Sequence, residues 1–269
     1  MMKMSLYLFS ASFVTLGLAL ALYAWHVFGQ RRDIGRYATS LSVATLVLLG
    51  ASLLVRSLVS GHGPFSNMYE FSASFAFGIV ASSLYVEGQQ RRKALGGLCL
   101  LVALAFMVYA STLPSQVEPL VPALQNNLLL TIHVVVAIIA YGSFAVAAVA
   151  AGCYLVARRL RISWLPAEED LDDMAYKAVI LGFPMMALVL ILGALWADIA
   201  WGRYWGWDPK ETASLLTWLL YGAYLHARVV RGWQGQPSAL LLLLGFAATI
   251  FTYFGNYFFG GLHSYGGFQ

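Results

Sequence analysis

The sequence predicts an all-α integral membrane protein: a bundle of about eight transmembrane helices with both termini on the outer side. Three observations predict it. Sixty per cent of the 269 residues are hydrophobic and only 10% are charged, where soluble domains carry about 25% charged residues. Eight stretches approach the roughly 20 apolar residues that a helical crossing needs. The basic residues collect in alternate connections, as the positive-inside rule requires.

The first span, 5–28, follows "MMKMS" and is too long for a signal-peptide core, and no small-residue cleavage site follows it, so it reads as retained. The remaining spans run over 38–59, 70–87, 94–113, 127–157, 178–199, 212–230 and 238–258. The fifth exceeds one crossing and is expected to tilt or to extend beyond the bilayer. Backbone polar groups in lipid must pair within their own segment, so each span is helical. Placing the N-terminus outside puts twelve of the sixteen Lys and Arg residues in inner connections: Arg31, Arg32, Arg36; Arg91, Arg92, Lys93; Arg158, Arg159, Arg161, Lys177; Arg228 and Arg231. Only Lys3, Arg56, Arg203 and Lys210 remain on the outer side. A basic pI of about 9.1 thus reflects membrane topology rather than nucleic-acid binding, for the cations form no stripe. Cys99 and Cys153 stand far apart with no CxxC, which excludes a dithiol motif and a zinc knuckle.

The outer surface is then built from "SGHGPFSNMYE" (60–70), "LPSQVEPLVPALQNN" (113–127), a tryptophan-rich loop (200–211) and the tail "FGGLHSYGGFQ" (259–269). The largest inner connection, "RRLRISWLPAEEDLDDMAYK", reads as a short surface helix or a solvated loop. No repeat or soluble domain interrupts residues 1–269, so the chain is one membrane domain.

Five histidines fall into groups by depth. His133 lies roughly 9 Å inside the start of the fifth span, counting 1.5 Å per residue, and His263 lies just past the end of the eighth. Both flank the tryptophan loop on its own side of the membrane. Two imidazoles across an aromatic shelf suit a haem iron, one axial ligand on each face; the alternative for each is a polar interfacial residue bonded to a neighbour. His226 lies about 20 Å down the seventh span, where an ionisable residue suggests function: a haem ligand within the membrane, or a group snorkelling beside Arg228. His26 reads as interfacial and His62 as a loop residue.

The loop itself is "WGRYWGWDPKE". Single tryptophans such as Trp196, Trp218 and Trp233 are ordinary at a membrane interface, but Trp201, Tyr204, Trp205 and Trp207 are too dense for that. Asp208 before Pro209, with Glu211 three residues on, has the spacing of a helix N-cap and capping box. Arg203 and Lys210 either snorkel or meet the carboxylates of a haem.

"WGRYWGWDPKE" resembles the WWD signature of the haem-handling proteins of cytochrome c maturation. With "GPFSNMYEF", "IHVVVAIIAYG", "YLHAR" and "GLHSYGGF", the chain resembles the CcsA (ResC-like) family of the system II pathway along nearly its whole length. The resemblance implies haem b as cofactor, with His133 and His263 as outer axial ligands and Trp201, Trp205, Trp207 and Asp208 in the haem-binding surface. His226 would be one ligand of a haem held within the membrane. It implies a CcsB (ResB-like) membrane partner that completes that inner site, apocytochrome c as the protein substrate, and a separate thioredoxin-like protein that reduces the substrate's cysteines. The implied activity is haem passage across a bacterial inner membrane, a thylakoid also fitting, and presentation of reduced haem for thioether attachment to CxxCH as part of a holocytochrome c synthase. A HemX-like regulator of haem biosynthesis shares the span layout, but the complete WWD loop with both flanking histidines argues against it. A CcmC-like deliverer of haem to a chaperone would have six spans.

Overall fold

The computed structural model describes residues 1–29, 33–90, 93–117, 120, 127–160, 162–254 and 259–263. Among the described residues eight helices follow one another: α1 (Met2–Phe28), α2 (Ile34–Ser60), α3 (Met68–Gln90), α4 (Lys93–Ser111), α5 (Asn127–Leu160), α6 (Glu168–Trp201), α7 (Pro209–Arg231) and α8 (Gln236–Phe254). Six of them are long and apolar enough to cross a membrane: α1, α2, α3, α5, α6 and α8. The apolar run of α4 is shorter, and α7 has the least apolar sequence of the eight. The expected class, an all-α integral membrane protein, agrees with this. Arg31, Arg32, Arg91, Arg92 and Arg161, on which much of the topology rests, lie outside the described residues, as does the 255–258 end of the eighth expected span.

Side-chain pairings give the register. Ser52 Oγ donates to the Ser5 carbonyl at 2.8 Å and Thr15 meets Thr45 at 2.9 Å, so α1 and α2 run antiparallel. Thr217 meets Thr252 at 3.1 Å across α7 and α8, again antiparallel. Hydroxyls serve here because interhelical contact within lipid gains little from hydrophobicity and relies on close packing and hydrogen bonds. Helix α5 is the hub, packing against α3, α6 and α8. Its crossing with α3 has backbone against backbone: a Cβ on Gly142 would collide with the Gly78 carbonyl, and one on Gly78 with the Ile138 carbonyl. Ser74, Gly78 and Ser82 share that face at i, i+4 spacing, a small-residue seam.

The alternation brings the start of α1, the 61–67 connection, residues 112–117, the 202–208 connection and residues 259–263 to one end of the bundle. That end is pinned by Arg56, which is fully buried. Its Nε donates to Glu70 Oε1 at 2.8 Å and its Nη2 to the Ser115 carbonyl at 2.9 Å, and its guanidinium lies 4.7 Å from the Tyr69 ring centroid. Glu70, equally buried, also accepts from Ser66 N and Oγ, both at 2.8 Å. Asn67 caps α3 through Glu70 N and donates to the Gln116 carbonyl. The "SNMYE" stretch is therefore a brace tying α2, α3 and the 112–117 segment together.

One expectation is corrected at the opposite end. The acidic stretch 168–173 is neither a separate surface helix nor a loop, for it forms the first turns of α6, which is 34 residues long. Glu168, Glu169 and Asp170 stand in its first turn, where the helix dipole favours negative charge. Asp172 accepts from Arg228 Nη1 at 2.6 Å and from Gly235 N at 3.2 Å, docking α6 onto the end of α7. Lys93 is likewise bound, 3.0 Å from Glu87 Oε1, whose carboxylate also accepts from Tyr23 and Thr39.

Candidate functional site

A cavity opens among α3, α5, α6, the start of α7 and the tail. The expected ligands His133 and His263 both line it, although 130 residues separate them in sequence. His133 reaches it from the second turn of α5. Gly193 on α6 leaves it room, since a Cβ there would stand 3.2 Å from the imidazole Cε1. His263 is placed by the chain returning past the end of α8. Its Nδ1 lies 2.8 Å from Asp208 Oδ1.

Trp196 packs against both imidazoles, its ring centroid 6.1 Å from that of His133 and 5.7 Å from that of His263. Reading this tryptophan as an ordinary interfacial residue was wrong: it is buried and lines the cavity. It shares one face of α6 with Gly182, Met186, Val189 and Gly193, spaced by three and four, the face packed on α5. Trp201 backs His263 edge-on at 4.9 Å and meets Trp196 at 5.4 Å.

The tryptophan loop divides by role. Tyr204, Trp205 and Lys210 line the cavity. The Lys210 ammonium stands 5.9 Å from the Phe71 ring centroid, and Ser66, Asn67 and Met68 of the α3 brace form another part of the wall. Trp207 and Arg203 are exposed and lie outside the cavity lining. Trp207 packs edge-on against Trp205 at 5.7 Å. It is the non-glycine residue with positive φ among the described residues, at 56°. A left-handed conformation costs a non-glycine residue about 1–2 kcal/mol, yet the ring it carries is 70% exposed. Trp207→Gly should therefore raise the melting temperature, by about 1 kcal/mol of stability, and, because the ring packs against Trp205 of the cavity wall, at the same time weaken ligand retention. A drop in stability would show that the ring holds the loop instead.

Asp208 organises this corner. The expected capping box is present: Asp208 Oδ1 accepts from Lys210 N at 2.9 Å, and Glu211 Oε2 accepts from Asp208 N at 3.1 Å and from Gly206 N at 2.8 Å. Asp208 Oδ2 also accepts from Leu262 N at 2.6 Å, which fixes the tail. Gly261 is required there, since a Cβ on it would collide with the Asp208 carboxylate. Burial pushes the Asp208 carboxyl up, but the hydrogen bonds from His263 and from the Lys210 and Leu262 N–H groups outweigh it and hold it well below the usual carboxylate range. Burial lowers the His263 pKa despite the hydrogen bond to Asp208, favouring neutral imidazole. An ionised carboxylate only accepts, so Nδ1 carries the proton and Nε2 keeps its lone pair.

His226 is not part of this cavity. It stands exposed on α7, about 27 Å from Asp208 along the helix axis at 1.5 Å per residue. His26 lies near the far end of α1 beside Gly35, and His62 Nδ1 contacts the Gly63 carbonyl at 2.8 Å. Among the described residues no three His, Cys, Asp or Glu side chains cluster as a metal site. Glu211 also lines the cavity, but its carboxylate accepts from Gly206 N and Asp208 N, which leaves the two imidazoles as donors for a metal whose remaining positions are filled by a ligand of its own.

Residues 65–263 match the Cytochrome C assembly protein family. The chain is 35% identical to the cytochrome c biogenesis protein CcsA of a Synechococcus species, over 96% of this chain and 95% of that protein. It is 38% identical to CcsA of Chlamydomonas reinhardtii, over 88% of this chain and 69% of the relative, and 36% identical to CcsA of Guillardia theta, over 87% and 85%. Among solved structures, cytochrome c haem lyase CcmF shares the fold with a TM-score of 0.70 at 19% identity. The match covers 94% of this chain and 46% of that larger protein.

Proposed function

The chain belongs to the Cytochrome C assembly family, among the CcsA cytochrome c biogenesis proteins, and from that premise we propose that it is the haem-handling subunit of a cytochrome c synthase. One observation carries the reading: His133 and His263 line a single cavity with Trp196, Trp205 and Tyr204. The donor set fits haem b, because two imidazoles supply axial ligands and the porphyrin supplies the rest. Among the described residues the buried His133 Nδ1 has no hydrogen-bond partner, and a buried polar group left unsatisfied in a native structure marks a place where a ligand accounts for the cost. Aromatic side chains suit a flat apolar ligand, and Lys210 is placed to meet a carboxylate.

Haem, when bound, supplies the vinyl groups that thiols attack; the protein supplies position. His133 and His263 would hold the iron, Trp196 and Trp201 fix the ring planes of the histidines, and Trp205 and Tyr204 would restrict the orientation of the bound group. The nucleophiles are the substrate's own CxxCH cysteines, reduced by a separate thioredoxin-like protein. His226 is the candidate ligand for haem on its way across, completed by a CcsB (ResB-like) partner. Its exposure on α7 supports a site shared with another chain, since an imidazole facing lipid is costly. Both termini, the cavity and the WWD loop lie on the outer side of a bacterial cytoplasmic membrane, where apocytochrome c is met. Protein purified from haem-sufficient cells should show a Soret band of a six-coordinate bis-imidazole haem. A colourless preparation would sink the reading.

A further inference from the structure

The two histidines differ in what stands behind them. His263 Nδ1 donates to Asp208, a carboxylate 2% exposed that also accepts from two backbone N–H groups, and so is anchored at the start of α7. His133 has no such carboxylate behind it: among the described residues its buried Nδ1 has no hydrogen-bond partner. A carboxylate hydrogen-bonded to the far nitrogen of a ligating imidazole fixes its tautomer and orientation and raises its basicity, and loss of such a support costs about 10–100-fold in metal affinity.

We infer that Asp208 is a positioning residue that makes the two ligands unequal, with His263 the strong, anchored donor and His133 the weak, exchangeable one. This rests on the haem-binding reading above. Asp208 belongs to the tryptophan-rich loop, but it does not line the cavity and acts through His263, so its contribution is to ligand strength rather than to the porphyrin surface. The same carboxylate couples the loop to the tail: one side chain caps α7, holds Leu262 N and orients the imidazole.

The test compares haem loss from the full-length chain, purified with haem, in His133→Gly and His263→Gly. His133→Gly, which keeps the braced ligand, should lose haem to an apomyoglobin acceptor about tenfold more slowly than His263→Gly. With both histidines present, Asp208→Asn should shift the ferric-to-ferrous preference about tenfold, raising the reduction potential by about 59 mV. Asparagine is as good a helix cap as aspartate, so α7 is kept; Asp208→Ser, another capping residue, repeats the measurement if the first variant fails to fold. Equal loss rates from the two histidine variants, or a potential unmoved by removal of the charge, would overturn the inference. Wild-type protein without haem would instead overturn the functional reading itself.

Discussion

The double variant His133→Ala/His263→Ala is expected to abolish c-type cytochrome assembly, with holocytochrome yield at least about a hundredfold below wild type, while the protein still accumulates in the membrane. The loss is large because both protein donors to the iron vanish together, and losing even a residue that merely supports a ligand costs 10–100-fold. The stability cost is smaller. Removing His263 deprives a buried carboxylate of one of its donors, worth about 1.5–3 kcal/mol for a hydrogen bond to a charged group. Two backbone donors remain on Asp208. The measurement is haem-stained cytochrome c from cells expressing the variant, with the membrane level of the variant checked alongside. Added imidazole should restore part of the yield in each single variant by occupying the vacated position. Normal yield from the double variant would reject the ligand assignment.

Arg56→Ala should be the most destabilising single substitution at this end of the bundle, by about 3–5 kcal/mol. The reason is Glu70, which would be left charged and without its counter-ion where no solvent reaches it. The guanidinium also carries the Ser115 carbonyl and stacks on Tyr69. Thermal unfolding in detergent measures the effect. Glu70→Gln in the Arg56→Ala background should recover much of the loss, because it removes the uncompensated charge while still accepting from Ser66. No recovery would mean that the arginine matters through Ser115 and Tyr69 rather than through the ion pair. The brace also positions Ser66, Asn67 and Met68 in the cavity wall, so haem retention should fall with stability.

Much of the site was legible because its signals are local. The capping box at Asp208 and Glu211 follows from spacing alone, and the density of rings at 201–207 set that loop apart from an interfacial belt. His133 and His263 were legible by their place relative to the membrane. Trp196 was not, because one tryptophan near a helix end looks the same whether it faces lipid or a neighbouring helix. The role of "SNMYE" was equally hidden: Glu70 is an unremarkable helix-start acid until Arg56, 14 residues earlier, is brought against it. The acidic 168–173 stretch misled because its charges look solvent-directed in sequence, whereas Asp172 is bound by Arg228 from a helix 56 residues away.

The sequence by itself determined the class of the protein, the eight helices and the start of α7, because hydropathy, span length and capping depend on residues close together in the chain. The tertiary structure alone decided which rings face the cavity, that Trp196 packs against both histidines, and that Asp208 supports only one of them. Those relations join α5, α6, α7 and the tail. Pairing between distant segments is settled by which helix faces meet, and lipid-facing and helix-facing positions are equally apolar, so no sequence pattern distinguishes them.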